Sequence, residues 1–296
     1  MIVRDPFLYI GRSVVILAAS IVFALAYWSS RERVQDQAVN YYFANAWFLS
    51  IGTLLSVVAV YELNGEFKSV TREVKNGLMH PLSYISAKSV LVIPVLFVFG
   101  ICAISVSAYG ILDCHADYGS YLFIFAVASF FFECLAEMFS VISHNPLMGM
   151  LEFLALWFGS FLFAGSFLPS YDIPVVVRWL YYILPFAPSF SAIGYVTMIN
   201  EPWESCDPES DYAGAFCIDL TIPPYNQEKS GVVILDAVSR LVSQISSKDK
   251  RAEQLGTLIG TGLFVKCVYI AIVLFKSSRA TKLYPKDTRD EGVSNM

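Results

Sequence analysis

Four ionisable side chains in strongly apolar segments are the residues of this sequence best placed to do chemistry: Glu133, Glu137, Glu152 and Lys266. Burying a charge alone in an apolar environment is costly, so such residues are usually paired and often mark functional positions. At about 1.5 Å of helical rise per residue, Lys266 and Glu133 are predicted to lie at nearly the same depth. We therefore predict that Lys266 pairs with Glu133 or with Glu152. Such a pair would either brace a helix bundle or relay motion through it.

The sequence lacks the motifs of common enzyme chemistry. It has no phosphate-binding Gly-x-x-x-x-Gly-Lys-Ser/Thr loop, no Gly-x-Ser-x-Gly elbow, no His-Glu-x-x-His run and no Cys-x-x-Cys pair. The histidines, His80, His115 and His144, are far apart in sequence. We therefore expect no catalytic residue, no metal site and no cofactor bound by this chain itself.

The composition indicates a membrane protein. Of the 296 residues, 56% are hydrophobic and 15% are charged, whereas an ordinary soluble domain is about 25% charged. The mean hydropathy is +0.57. A net charge of −5 argues against a nucleic-acid partner, which would select a basic surface.

Six segments are long and apolar enough to cross a bilayer as helices, which takes about 20 residues each. They span residues 9–28, 41–61, 85–109, 121–142, 147–168 and 255–275. Residues 173–199 are also apolar, but Pro185 and Pro188 would break a membrane-spanning helix. We read that segment as two re-entrant half-helices. The sequence thus predicts an all-α membrane protein with a large outer loop at 200–254 and a cytoplasmic tail at 276–296.

The distribution of Lys and Arg predicts the orientation of the chain. With the N-terminus inside, eleven Lys and Arg residues, Arg12 among them, lie in the segments assigned to the cytoplasmic side, and two lie outside. Positive residues favour the cytoplasmic side, so both termini are expected there. Plasma membrane and endomembrane remain open as locations.

The cysteines outside the predicted spans lie on the outer side. Cys206 and Cys217 share the loop 200–254, and a disulfide between them is expected in an oxidising compartment. Cys114 is left over in the shorter outer loop. It is predicted to be either a free thiol or an intermolecular link.

Residues 62–80, between the second and third spans, read as a short amphipathic helix. Phe67, Val70 and Val74 share one helical face, and Gly77 is predicted to end the helix. The helix either lies at the cytoplasmic membrane surface or acts as a lever that contacts a soluble partner.

Two sets of residues resemble the membrane domain of the G-subfamily (White-type) ABC transporters. The first matches the family's region from span 2 to span 3: Glu66, Glu73, Gly77, Tyr84, Lys88 and Pro94. The second matches the end of its span 5 and its re-entrant helices: Phe163-Ala164-Gly165, Ile173-Pro174, Trp179, Tyr182, Pro185 and Asn200-Glu201. The resemblance covers nearly the whole chain in order.

The resemblance implies a type-2 ABC exporter transmembrane domain that pairs with a second membrane half and with ABC ATPase domains. ATP and Mg would bind to those ATPase domains, because this chain has no phosphate-binding loop. The chain is either a truncated form or a separate membrane subunit, and we expect truncation. In such a domain the coupling helix would include Glu66, Arg72, Glu73 and Gly77.

The resemblance also places the substrate cavity between spans 2 and 5. On this chain the matching residues are Trp47, Ile51, Leu54, Val58, Trp157, Phe158 and Phe161, and the outer gate above them is Ser166, Phe167 and Leu168. The aromatic content favours a hydrophobic substrate such as a lipid or sterol, with membrane lipid around the domain. The alternative function is a non-transporting membrane scaffold that has lost its ATPase.

Overall fold

The computed structural model describes residues 7–165, 174–204, 229–242, 245 and 248–282, and this part of the chain is mostly helical. The α-helices in chain order are α1 (Arg12–Ala26), α2 (Ala38–Leu54), α3 (Ser56–Lys75), α4 (Pro81–Ile104), α5 (Tyr118–Ile142), α6 (Pro146–Leu162), α7 (Val175–Ile183), α8 (Phe186–Met198), α9 (Gly231–Leu241) and α10 (Arg251–Lys282). Two short strands, β1 (Pro202–Trp203) and β2 (Lys229–Ser230), pair antiparallel. The all-α class predicted from the sequence is confirmed.

Five helical segments within the described ranges are long and apolar enough to cross a membrane: Tyr9–Ala26, Gln35–Lys75, Pro81–Ile111, Tyr118–Ile142 and Arg251–Ser277. The remaining predicted span, 147–168, corresponds to α6, which is apolar but has only 17 residues. At about 1.5 Å per residue α6 is roughly 26 Å long, slightly less than the apolar thickness of a bilayer. The expected six long spans are therefore five long helical segments and one short helix.

The apolar segment after α6 forms two helices. α7 ends at Ile183 and α8 begins at Phe186, so the break falls at Pro185, where the sequence predicted it. Pro188 lies in the first turn of α8, where a missing backbone N–H removes no intrahelical hydrogen bond. That the two helices re-enter the membrane stays a prediction.

Helix α5 lies at the centre of the bundle and packs against α3, α4, α6, α8 and α10. The buried ring of Phe125 on α5 explains why two positions on neighbouring helices are glycine. A Cβ added to Gly52 of α2 would lie 2.3 Å from this ring, and one added to Gly100 of α4 would lie 3.1 Å from it. Both helices therefore approach α5 more closely than any larger residue would allow.

The end of the bundle near the N-terminus of α2 is held together by short backbone pairings. β1 aligns Pro202 with Ser230 and Trp203 with Lys229. The backbone N–H of Glu204 donates to the carbonyl oxygen of Arg33 at 3.0 Å, which joins β1 to the loop between α1 and α2.

Candidate functional site: a charge network and an aromatic wall

Arg12 and Glu133 form a buried ion pair between α1 and α5. The two guanidinium nitrogens of Arg12 donate to the carboxylate of Glu133 at 3.2 and 2.9 Å, and one also donates to the Ser56 hydroxyl at 3.1 Å. The guanidinium carbon lies 4.6 Å from the centre of the Phe99 ring. Sequence reasoning counted Arg12 with the cytoplasmic charges and missed this pair, although Arg12 falls inside the first predicted span.

Lys266 on α10 pairs with Glu137 on α5, not with Glu133 or Glu152. The predicted pairing was wrong by one helical turn, because Glu133 is already held by Arg12. Lys266 also lies 5.2 Å from the centre of the Tyr269 ring. Equal depth along two helices did not decide the partner of Lys266. The rotation of each helix decides which side chains face each other, and Lys266 faces Glu137.

A third pair joins the C-terminal half of α3 to α4. Lys88 donates to the carboxylate of Glu66 at 2.8 Å and to the Tyr84 hydroxyl at 3.0 Å. We call the six charged residues of these three pairs the inner charge network: Arg12, Glu66, Lys88, Glu133, Glu137 and Lys266. It contains three cations and three carboxylates and links α1, α3, α4, α5 and α10 without a net charge.

Glu152 does not belong to this network. It lies on an exposed face of α6, and its carboxylate accepts a hydrogen bond from the Ser143 hydroxyl at 2.6 Å. Ser143 follows the C-terminus of α5, so this bond fixes the turn between α5 and α6. The prediction of Glu152 as a partner for Lys266 is therefore corrected.

The predicted coupling helix is the C-terminal part of α3 and not a separate short helix. Its apolar face packs on protein, because Val70, with Phe67 and Val74 beside it, contacts a cluster that includes Tyr84 and Tyr269. Arg72 and Glu73 lie on the exposed side. A membrane-surface position is thus not needed to cover the apolar face.

The end of α3 follows the prediction for Gly77. This residue has a φ of +71°, its N–H donates to Val74 at 3.1 Å, and the N–H of Leu78 donates to Glu73 at 3.0 Å. These two bonds form a Schellman motif, which requires the left-handed conformation that glycine adopts most readily.

Asn64 joins α3 to the end of α5. Its side-chain amide donates to the carbonyl oxygens of Ser140 at 2.8 Å and Ser143 at 2.9 Å. Lys276 of α10 donates to the carbonyl oxygens of Val141 and Ile142 in the same turn. Carbonyl groups at a helix C-terminus have no intrahelical donor, so both side chains stabilise the end of α5 and tie it to two other helices.

Three of the four aromatic residues predicted for a cavity form a wall between α2 and α6. The ring centre of Phe161 lies 5.4 Å from that of Trp47 and 5.5 Å from that of Trp157, and the Trp157 ring stacks on it. The indole N–H of Trp157 donates to the Thr53 hydroxyl at 3.2 Å. Phe186 of α8 packs on Phe161 at 5.8 Å and extends the wall. We call Trp47, Trp157, Phe161 and Phe186 the aromatic wall.

The other predicted cavity residues divide between the interior and the surface. Ile51 is buried, and Leu54 and Val58 are half-buried on the same segment. Phe158 has 56% of its surface exposed and points away from the wall. The predicted gate, Ser166, Phe167 and Leu168, and the predicted disulfide, Cys206 and Cys217, lie outside the described residues.

A second polar cluster, which we call the outer cluster, surrounds Glu201. Its carboxylate lies 2.9 Å from the guanidinium of Arg33 and accepts a bond of 2.6 Å from the backbone N–H of His115. The His115 ring lies 3.1 Å from the same carboxylate, and the Tyr41 hydroxyl donates to it at 3.4 Å. The sequence singled out Glu201 only through resemblance, because its partners come from two distant loops.

Cys114 lies beside the outer cluster as a buried free thiol. Burial raises the pKa of the Cys114 thiol, and a hydrogen bond with Tyr41 opposes this shift. A buried neutral thiol is a poor partner for another chain. Of the two alternatives predicted for Cys114, the structure favours the free thiol.

The geometry defines a multi-pass helical membrane protein in which Glu133, Glu137 and Glu201 are each buried beside a cation and aromatic residues meet between two spans. Among the described residues, no group of three His, Cys, Asp or Glu side chains could hold a metal ion. Residues 1–198 match the family model described as ABC-2 type transporter, and the chain belongs to this family. No curated protein matches the chain closely enough to add to this assignment.

Proposed function

We propose that the chain is the substrate-translocating membrane component of an ATP-driven exporter of hydrophobic compounds. It would work with a second membrane half and with ABC ATPase domains, in the manner of the G-subfamily that the sequence resembles. The observation that carries the proposal is the nearly continuous helical segment Gln35–Lys75. The first half of this segment bears Trp47 of the aromatic wall, and the segment leads into the exposed turn at Gly77.

This segment offers a route by which an ATPase domain could act on the wall. Arg72 and Glu73 are exposed near the end of α3, where a basic or acidic group of a soluble domain could pair with them. A displacement of the end of α3 would be transmitted to α4 through the Glu66–Lys88 pair and to α5 through Asn64. The same displacement would move α2 against α6 and change the contacts of the aromatic wall.

The chemistry of the wall supports a flat apolar substrate. Aromatic ring faces bind apolar surfaces well, and the one indole N–H of Trp157 is already bonded to Thr53. A lipid or sterol that enters from the membrane fits these properties better than a sugar or an ion. With both termini in the cytoplasm, as the sequence predicts, transport would run from the inner side outward, which is the direction that the resemblance to the G-subfamily implies.

The test is to purify the full chain from its native membrane together with its associated proteins and to measure ATP hydrolysis. We expect vanadate-sensitive hydrolysis that sterols or phospholipids stimulate. Glu73→Ala should reduce this stimulation about fivefold or more, which is a typical size of allosteric coupling. The matched control is Glu253→Ala, because Glu253 is also exposed but lies in the first turn of α10, away from the end of α3.

Two results would count against the proposal. A purified complex with neither ATPase activity nor export would favour the scaffold alternative. Stimulation and export at wild-type levels in Glu73→Ala would show that the end of α3 does not couple ATP hydrolysis to transport.

A further inference from the structure

The junction between α2 and α3 is a local interruption in an otherwise continuous helical segment. α2 ends at Leu54 and α3 begins at Ser56, with Leu55 between them. The N–H of Val58 donates to the carbonyl oxygen of Leu55 at 3.1 Å, a spacing of three residues that is typical of a tighter 3₁₀ turn. This junction is therefore the point at which the segment from the aromatic wall to Gly77 can bend most easily.

Arg12 contacts this junction from a different helix. One guanidinium nitrogen donates both to the Ser56 hydroxyl at 3.1 Å and to Glu133 at 2.9 Å, and the other donates to Glu133 at 3.2 Å. Arg12 is only 2% exposed. A planar guanidinium holds two partners in a fixed relative position, which a lysine ammonium does not do. Arg12 thus connects the first residue of α3 rigidly to α5.

We propose that Arg12 is a positioning residue for transport that stiffens the α2–α3 junction. With Arg12 in place, movement of the cytoplasmic part of α3 is passed to α2 and the aromatic wall. Without it, the segment bends at Leu55 and the movement is absorbed there. This inference rests on the proposed function for its role in transport, while the stiffening itself is a property of the chain alone.

A role limited to neutralising Glu133 predicts different behaviour. In that case Arg12→Lys would be nearly silent, because lysine keeps the positive charge, and the Ser56 hydroxyl would not matter. If Arg12 stiffens the junction, both Arg12→Lys and Ser56→Ala weaken it. Ser50 supplies the matched control, since its hydroxyl donates only to the carbonyl oxygen of Ala46 in its own helix.

The experiment is hydrogen–deuterium exchange of the full chain in phospholipid nanodiscs, read by mass spectrometry. We expect amide exchange at residues 55–58 to rise about tenfold in Arg12→Lys and in Ser56→Ala, since each loses a buried hydrogen bond. Exchange near Lys266 and Glu137 should stay unchanged in both variants, and Ser50→Ala should match wild type throughout. Unchanged exchange at 55–58 in both Arg12→Lys and Ser56→Ala overturns the proposal.

A second measurement separates this proposal from the proposed function. In the purified ATPase-containing complex, Arg12→Lys should keep basal ATP hydrolysis and lose substrate stimulation. Faster exchange with full stimulation would overturn the positioning role while leaving the exporter function in place. If the wild-type complex neither hydrolyses ATP nor exports, the proposed function fails, and exchange at 55–58 still decides whether Arg12 stiffens the junction.

Discussion

At the scale of single residues, the inner charge network places opposite charges one to one inside an apolar bundle. Glu133 and Glu137 lie one turn apart on α5, where two unpaired carboxylates would repel each other. Arg12 neutralises the first and Lys266 the second. A buried pair adds little stability over apolar residues, but removal of one partner leaves a charge that the interior cannot solvate.

We therefore expect Lys266→Met to reduce the stability of the chain by about 3–5 kcal/mol, because Glu137 would lose its cation. The matched control is Lys68→Met on the exposed side of α3, which should change stability by less than about 0.5 kcal/mol. Thermal unfolding of purified protein and the yield of membrane-inserted protein measure both effects. The double variant Lys266→Met with Glu137→Gln should recover part of the loss, and the buried-pair argument fails if it does not.

The outer cluster gives a second expectation at the residue scale. Glu201 is 1% exposed and faces the guanidinium of Arg33, so Glu201→Ala should cost about 3–5 kcal/mol. The His115 side chain is 57% exposed, so His115→Ala should cost less than about 1 kcal/mol. Thermal unfolding of the two variants side by side gives the comparison. Equal losses would mean that the Arg33–Glu201 pair is not the main contact of this cluster.

At the scale of elements, α3 is one helix with two functions in the fold. Its apolar face packs on α4, α5 and α10, and its exposed end turns back at Gly77. The two glycines of this region differ in conformation. Gly65 lies inside the helix with open space around it, whereas Gly77 has a φ of +71°.

Alanine at these two glycines should act in opposite directions. Gly65→Ala should stabilise α3 by about 0.5–1 kcal/mol, because alanine loses less backbone entropy in a helix. Gly77→Ala should destabilise its end by about 1 kcal/mol, because alanine is strained at positive φ. Amide exchange at residues 70–78 should be slower in the first variant and faster in the second. The same direction of change in both would contradict the Schellman cap.

At the scale of the whole molecule, the arrangement depends on which side of the membrane each end of the bundle faces. The turn at Asn76 and Gly77 follows the C-terminus of α3. Ser29 lies in the connection between α1 and α2, near the opposite end of the helical segment that α2 and α3 form. The excess of Lys and Arg in the short loops on the Asn76 side predicts that this side faces the cytoplasm.

Single cysteines at these two exposed positions test the orientation. In intact cells, a membrane-impermeant maleimide should label Ser29→Cys, and it should label Asn76→Cys only after permeabilisation. The unsubstituted chain is the control, because its own cysteines set the background signal. Labelling of Asn76→Cys in intact cells would reverse the orientation, and the exposed end of α3 would then be unable to meet a cytoplasmic ATPase.

The sequence by itself determined the features that depend on neighbouring residues. Runs of apolar residues predicted the helical class and most spans, Gly77 predicted the end of α3, and Pro185 predicted the break between α7 and α8. Each of these follows from local backbone preferences or from transfer of a short segment into an apolar phase. These features therefore depend little on how distant parts of the chain pack together.

Only the tertiary structure decided which distant side chains meet. Lys266 pairs with Glu137 because the rotation and depth of α10 against α5 bring those two faces together, and Arg12 takes Glu133 from the other side. That geometry is set by close contacts such as Gly52 against Phe125, which no local pattern encodes. For the same reason Trp157 and Phe161 joined the aromatic wall while Phe158, between them in sequence, faces outward. A rotation of about 100° per residue separates neighbours on a helix, and only packing against the rest of the bundle decides which of them points inward.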